Sequence, residues 1–338
     1  MHTPASPSPA PVTVRPLLKW AGGKRQLLPA LAAHYPARFD RYVEAFLGSG
    51  AVFFDLLGQK RLAGRRVTLA DVNPDLIGCY RTLRDHTGEV IDALAALQAE
   101  HRSLGEICYY DVRDRRFNPE RATSFSAGQE GRERLASAYP AELAAMLIFL
   151  NRTGFNGLFR LNRSGGFNVP AGRYTEPRIC DPAHLKTVAA AFREPGVSLE
   201  LSGFEAVLAD AGPGDFVYCD PPYVPLSRTA SFANYTADGF TSGDQTCLRD
   251  AVVAACRRGA LVVLSNSSAD EVVDLYSSDM ARHAGLRLHR VPARRMINSR
   301  ATARGPVDEL IVSNVPPSLE TVRPRMLKAL PVRRRQTA

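Results

Sequence analysis

No stretch of the sequence approaches 18 uncharged apolar residues, so no segment reads as a membrane span. No cationic start leads into an apolar core, so the first residues are not expected to be a secretory signal. There is no C-x-x-C pair: the six cysteines (79, 108, 180, 219, 247 and 256) are scattered. That argues against a disulfide framework or a zinc site, and for reduced thiols and a cytoplasmic location. Acid is scarce too. Against 43 Lys and Arg stand 34 Asp and Glu, leaving a net charge of +9 and a pI near 9.4. This balance favours a polyanionic partner such as nucleic acid. Internal repeats are absent, and tryptophan occurs once, at Trp20.

What is present is a globular composition, 45% apolar and 23% charged over 338 residues, with ample material for a core. The opening "MHTPASPSPAPV" is a Pro/Ser/Ala tail, expected to be disordered over residues 1–14. Basic residues gather at Arg290, Arg294, Arg295, Arg300 and Arg304, and again in a tail over 319–338 with Arg323, Arg325, Lys328 and Arg333 to Arg335.

Periodicity organises the rest. "RYVEAF" reads as a strand, "LGSG" as a glycine turn, "AVFFDLLGQK" as a helix and "RRVTLAD" as a second strand ending in acid, which together make a βαβ unit. From 83 to 184 the pattern turns helical, with "VIDALAALQAEH" and "PAELAAMLIFLN", the latter opened by Pro140. "NGLFRLNRSGGFNVPAGRY" then suggests a β-hairpin through "RSGG". Strands and helices alternate again after 197: "VSLEL", "DFVYCD", "ALVVLSN", "LRLHRV" and "DELIVSNV" are strands, and "DQTCLRDAVVAACRRG" and "DEVVDLY" are helices. The expectation is an α/β sheet domain, residues 15–82 and 185–318, interrupted by a mostly helical insert over 83–184.

Four segments carry chemistry. Gly48, Ser49 and Gly50 follow the first strand, and Asp71 ends the second, 23 residues after Gly48. Glycines there let a ligand approach the backbone, and such an acid can bind ribose hydroxyls, so a nucleoside cofactor is indicated; the third glycine of the dinucleotide fingerprint is missing. In "LLKWAGGK", Gly22 and Gly23 permit close approach, and Lys24 can meet a carboxylate or phosphate. In "GDFVYCDPPYVPLS", a buried strand ends in Asp220, Pro221, Pro222 and Tyr223. The Asp220 carboxylate and the Pro221 carbonyl can accept the two hydrogens of an exocyclic amine held against the Tyr223 ring, while the prolines fix the geometry. An aryl amine is a poor nucleophile because its lone pair is delocalised. Two acceptors on its hydrogens favour the pyramidal nitrogen that forms as it attacks a methyl group. Cys219, beside the acid, reads as a small buried strand residue. In the hairpin, Arg160, Asn162, Arg163 and Asn168 lie among Phe155, Phe159, Phe167 and Tyr174, a set that can read base edges and wedge or stack at an unpaired position.

Together, "LKWAGGK", "VEAFLGSGAVF", "LADVNPDLI", "NRTGFNGLFRLNRSGGFNVPAGRY", "DPPYVPLSRTASFANY", "VVLSN" and "VDELIVSN" occur in the order of one family. Over about residues 15–315 the chain resembles the Dam-type, D12 class of N6-adenine DNA methyltransferases, most weakly across 83–140. The resemblance implies a Rossmann-like S-adenosylmethionine-dependent methyltransferase sheet with an inserted target-recognition domain. It also implies S-adenosyl-L-methionine as cofactor and a flipped adenine in double-stranded DNA as substrate; no metal is needed because that methyl donor is already activated, no membrane partner is expected, and a monomer on DNA is the default with the oligomeric state open. Trp20, Lys24, Phe46, Gly48, Ser49, Gly50, Asp71 and Asp220 would then line the cofactor site, and Asp220 to Tyr223 would hold the adenine. Lys19, Phe155, Asn156, Leu158, Arg160, Asn162, Pro170 and Tyr174 would meet DNA, with Arg295 and Arg300 in the basic loop. Relatives with this hairpin act on GATC, within restriction-modification or in marking DNA for replication and repair. Two residues depart from the pattern: Ala45 stands where proline is common and Ala171 where phenylalanine is common, the first bearing on cofactor-loop stiffness and the second on the sequence recognised. The rival readings are a methyltransferase for cytosine N4 or a protein amide, a nicotinamide-dependent oxidoreductase, and a DNA-binding protein without catalysis.

Overall fold

The structure is a computed structural model and describes residues 14–20, 22–124, 129–224, 240–294 and 306–316. The expected tails lie outside these residues except at Val14, and so do Arg295, Arg300, Arg304 and the continuation of the Asp220 segment beyond Val224. Among the described residues no helix is long and apolar enough to cross a membrane.

The seven strands anticipated from the sequence form one sheet. They are β1 (Arg41–Glu44), β2 (Arg66–Asp71), β3 (Val197–Leu201), β4 (Asp215–Cys219), β5 (Leu261–Ser267), β6 (Arg287–Arg294) and β7 (Pro306–Ser313), arranged 3-2-1-4-5-7-6. The first five run parallel, and β7 lies antiparallel between β5 and β6. This is a Rossmann-like open sheet, as the resemblance implies. Its chain order reverses between β1 and β4, and ligands of such open sheets bind beyond the carboxyl ends of the strands at that reversal.

Period two along the strands builds a core on each face. In β4, Phe216 and Tyr218 join Tyr42, Phe53 and Leu69 on one side, while Val217 and Cys219 join Val252, Val262 and Tyr276 on the other. The segment between β2 and β3 is mostly helical, with long helices at Thr87–Leu104 and Ala141–Thr153. Its apolar residues Leu143, Leu147 and Leu150 belong to the same buried cluster as Tyr42 and Phe216. Two helices cross the boundaries expected at 82/83 and 184/185. Pro74–Asp85 is capped by the Asn73 side chain, and Pro182–Arg193 by Asp181. No glycine or proline interrupts either helix at those points, so each continues from one part to the other. At the start of the first, the buried Asp75 accepts from Arg121 Nε at 2.8 Å and from the Tyr139 hydroxyl at 3.2 Å, fastening the sheet side to the insert.

The hairpin turns where the sequence places it: Asn162 N–H donates to the Gly166 carbonyl at 2.8 Å and Gly165 N–H to the Asn162 carbonyl at 2.9 Å. Its arms meet only at the isolated bridges Leu161–Phe167 and Gly154–Ala171 rather than in a continuous ladder.

Gly78 provides a test of the packing between sheet side and insert. A Cβ there would lie 2.6 Å from Cδ2 of the buried Tyr139. Helix propensity favours Gly78→Ala by up to about 1 kcal/mol, but displacing a close-packed ring costs about 1–3 kcal/mol. Sterics wins, so the variant should unfold a few degrees below the parent in a thermal melt, and an unchanged or higher Tm would contradict this packing.

Candidate active site

β1 ends at Glu44, and the chain leaves the sheet between its two neighbours: Ala45 N–H donates to the Tyr218 carbonyl of β4, and Leu47 N–H to the Ala70 carbonyl of β2. Gly48 and Gly50 then adopt φ of +48° and +69°, a region that L side chains rarely enter. The loop is held from two sides. Gly48 N–H donates to Asp71 Oδ2 at 3.0 Å, and the Tyr80 hydroxyl donates to the Gly48 carbonyl at 3.0 Å. Trp20 lies so close that a Cβ on Gly48 would come within 2.9 Å of its ring. Asp71 Oδ1 accepts from Asn73 N–H, so this acid shapes the loop as well as facing it. Ser49 is buried, and Phe46 stacks on Phe204 with ring centroids 5.6 Å apart.

The Asp220–Tyr223 turn leaves β4 beside this loop. Lys24, from the N-terminal segment, brings its ammonium to 2.9 Å from Asp220 Oδ1 and donates to the Gly22 carbonyl. The same nitrogen lies 4.4 Å from the centre of the Tyr223 ring. The Ser265 hydroxyl on β5 donates to Asp220 Oδ1 at 2.9 Å, and the Tyr218 and Ser265 hydroxyls are 2.9 Å apart. The Tyr223 hydroxyl donates to Glu309 Oε2 on β7 at 2.8 Å. Pro222 is held through its carbonyl, which accepts from Gln245 Nε2 at 3.0 Å. Cys219 is fully buried, and its thiol pKa is raised by burial, as suits a strand residue rather than a nucleophile.

The electrostatics are lopsided towards acid. Burial holds the Asp220 carboxyl above the usual aspartate range, outweighing the Lys24 ammonium and the Ser265 hydroxyl, and Glu309 adds to the rise. Burial likewise raises Asp71 against the backbone N–H groups that favour its charge. Glu44 is only 2% exposed and its carboxyl is pushed up to about 8, first by burial and then by Asp220 and Asp71. Its Oε2 accepts from the Tyr42 hydroxyl at 2.9 Å and from Phe53 N–H at 3.2 Å. Three desolvated acids thus surround one glycine loop, and Lys24 is paired with one of them. Such a site suits a cationic ligand bearing hydroxyl groups. Among the described residues no group of three or more His, Cys, Asp or Glu is placed to hold a metal.

The recognition candidates occupy a surface next to this site. Phe155 is about half exposed, Asn156 is exposed with φ of +55°, and Arg160 and Pro170 are exposed. Arg160 is already engaged: its Nε donates to Asn168 Oδ1 at 2.7 Å. Asn162 Oδ1 accepts from Gly166 N–H and the Ser164 hydroxyl, so its carbonyl oxygen closes the hairpin turn. Leu158 is half-buried. Lys19 and Tyr174 meet, Nζ donating to the phenol oxygen at 3.2 Å. Phe159 and Phe167, grouped in the sequence with rings able to wedge into DNA, are instead buried. Phe159 stacks on Trp20 and Phe167 packs against Phe117, because alternate hairpin side chains face the core.

Four residues without an expected role emerge here. Asn151 is buried and bonds both Lys19 N–H (2.8 Å) and the Lys19 carbonyl (2.7 Å), as well as the Gly157 carbonyl. Glu44, Ser265 and Glu309 are the others. Each stands within a quoted family motif, but only strand order shows that Glu44, Ser265 and Glu309 belong beside Asp220.

Comparison with known proteins shows similarity over most of the chain. The sequence profile of the D12 class N6 adenine-specific DNA methyltransferases matches residues 20–297. A Type II methyltransferase of Lactococcus lactis subsp. cremoris is 35% identical over 303 residues, 90% of this chain and 96% of that one. A Type II methyltransferase of Methanocaldococcus jannaschii is 35% identical over 312 residues, 89% and 99% of the two chains. The DNA adenine methylase of Escherichia coli K12 is 33% identical over 297 residues, covering 88% and 94%.

Glu44 gives a pH test. Its proton is kept to about pH 8 in the fold, whereas the ordinary glutamate value is 4.5. The folded state binds more protons in that window, so this contribution to stability is complete below about pH 4.5 and lost as pH rises through about 8. Glu44→Gln keeps an acceptor for Tyr42 and Phe53 and removes the titration. Thermal melts of the cofactor-free protein should show the variant gaining on the parent steadily from pH 5 to 8. Parallel curves across that range would exclude the assignment.

Proposed function

Because the chain belongs to the D12 class of N6 adenine-specific DNA methyltransferases, we propose that it moves the methyl group of S-adenosyl-L-methionine to N6 of an adenine flipped out of double-stranded DNA, within GATC and as a monomer. That the enzyme is adenine-specific and acts on DNA follows from the family, which removes the cytosine, oxidoreductase and non-catalytic readings. The observation carrying the cofactor and flipped-base reading is the meeting of the Gly48–Gly50 loop and the Asp220–Tyr223 turn at the reversal of strand order.

The residues present fit the cofactor. S-Adenosyl-L-methionine carries a sulfonium, an ammonium and two ribose hydroxyls, and the desolvated carboxyls of Glu44, Asp71 and Asp220 offer the acceptors such a molecule needs. Trp20, Lys24, Phe46, Gly48, Ser49, Gly50, Asp71 and Asp220 would hold it. When bound, it supplies a methyl group on a sulfonium, an electrophile already activated.

The chain's own residues then act on the base. Flipping costs a few kcal/mol of unpairing, offset in part by stacking on the face of Tyr223. Asp220 and the Pro221 carbonyl accept the N6 hydrogens and favour the pyramidal nitrogen, so they stabilise the transition state more than the planar ground state. Once N6 carries the methyl it has a proton to lose, and the Asp220 carboxylate, raised by burial, is suited to take it. Lys19, Phe155, Asn156, Leu158, Arg160, Asn162, Pro170 and Tyr174 would face the groove, Arg160 exchanging Asn168 for a guanine edge. Arg295 and Arg300 would meet phosphates.

Asp220→Ala should lower methyl transfer by about 10²- to 10³-fold or more while leaving most of the DNA affinity. The assay uses labelled S-adenosyl-L-methionine and mixed-sequence duplex DNA, followed by nucleoside digestion and mapping of modified sites. Retained activity would remove Asp220 from the reaction, and methylated adenine outside GATC would overturn the target sequence.

A further inference from the structure

The motifs "VVLSN" and "VDELIVSN" have no part in the reading above, yet both end up against the Asp220 turn. Ser265 sits on β5 and Glu309 on β7, the two neighbouring strands beyond β4. Ser265 is fully buried, and its hydroxyl is shared between two partners, Asp220 Oδ1 at 2.9 Å and the Tyr218 hydroxyl at 2.9 Å. Lys24 reaches the same Oδ1 at 2.9 Å. Both donors therefore hold one oxygen of the carboxylate, and among the described residues none bonds Oδ2.

A carboxylate free to rotate about its last torsion would present either oxygen at any angle. One pinned at Oδ1 from two directions offers Oδ2 in a set direction. Tyr218 is itself fixed, because its ring lies in the core beside Phe216. If Ser265 donates to Asp220, its lone pair accepts from the Tyr218 hydroxyl, and the two bonds polarise each other in the same sense.

We propose that Ser265, backed by Tyr218, is a positioning residue for methyl transfer, holding the Asp220 carboxylate by Oδ1 so that Oδ2 is presented to the adenine amine. The proposal rests on the reading of Asp220 as the amine acceptor. Its effect is electrostatic as well as geometric, because a hydroxyl donating to the charged carboxylate favours that form. The other titratable groups that interact with Asp220 are Lys24 from the N-terminal segment, Glu44 on β1, Tyr218 and Cys219 on β4, Tyr223 in the turn and Glu309 on β7. Lys24 favours the charged carboxylate and the acids oppose it, so removing Ser265 shifts the balance towards the protonated form.

The test is the pH profile of kcat for Ser265→Ala and Tyr218→Phe, with Asp220→Ala assayed in parallel and thermal unfolding and cofactor binding as fold controls. In Ser265→Ala the limb on which activity is lost on acidification should move up by about one pH unit. KM for DNA and for S-adenosyl-L-methionine should stay near the parent values, and kcat should fall more at pH 6.5 than at pH 8.5. Tyr218→Phe keeps the ring in the core and should shift the limb the same way by less; it carries the test if Ser265→Ala does not fold. A fall in kcat equal at all pH values, or a limb that stays in place in both variants, overturns the positioning role. If Asp220→Ala remains active, the amine-acceptor reading fails and this role fails with it. If Asp220→Ala is dead while the Ser265 and Tyr218 limbs do not move, only the positioning role is lost.

Discussion

The contact between Lys24 and Asp220 is the constraint on which the site depends. It joins an N-terminal segment to the carboxyl end of a central strand, and both charges are largely removed from water. Breaking a buried pair by deleting one partner leaves an uncompensated charge and costs about 3–5 kcal/mol, more than most single contacts in a domain contribute. Lys24 also bonds the Gly22 carbonyl and lies over Tyr223. One ammonium therefore links Gly22, Asp220 and Tyr223.

Around that pair the candidate site is an excess of desolvated acid. Glu44, Asp71 and Asp220 come from three adjacent parallel strands, and each pushes its neighbours towards protonation or is itself pushed by burial. A folded protein does not gain stability from such crowding. The crowding fits the proposed function, in which these acids face a cationic donor and the hydrogens of an amine. Strain at a functional site compensated elsewhere in the fold is the general pattern. Here the compensation is the two-sided core, with fully buried aromatic rings on both faces of the sheet.

The same N-terminal segment ties the proposed recognition surface to the proposed catalytic turn. Asn151, at the end of the long helix Ala141–Thr153, grips both backbone polar groups of Lys19 and the turn carbonyl of Gly157. Trp20 is stacked on Phe159 of the hairpin and pressed against Gly48 of the loop. The hairpin and the glycine loop are therefore both in contact with Trp20. The buried Asp75–Arg121 pair, with Arg121 also bonded to the Gly165 carbonyl at the hairpin tip, adds a second fastening on the far side of the insert.

By itself the sequence determined the elements and the chemical vocabulary. Period-two runs marked the strands, the "RSGG" stretch marked the hairpin turn, and Gly48, Gly50, Asp71 and the Asp220–Tyr223 turn were legible because glycine, proline and a strand-ending acid act locally. The helical pattern after residue 83 was legible for the same reason, and helices Pro74–Asp85 and Pro182–Arg193 run across the expected edges with no local break. Only the tertiary structure decided which residues meet. Placing β1 between β2 and β4, and β7 between β5 and β6, brings Glu44, Ser265 and Glu309 to Asp220 and lays Lys24 on Tyr223. It also buries Phe159 and Phe167, which composition alone had grouped with the exposed rings. The reason is that backbone preferences and periodicity are properties of a few neighbouring residues, whereas strand order and the desolvation of a charge are settled by packing between segments far apart in the chain.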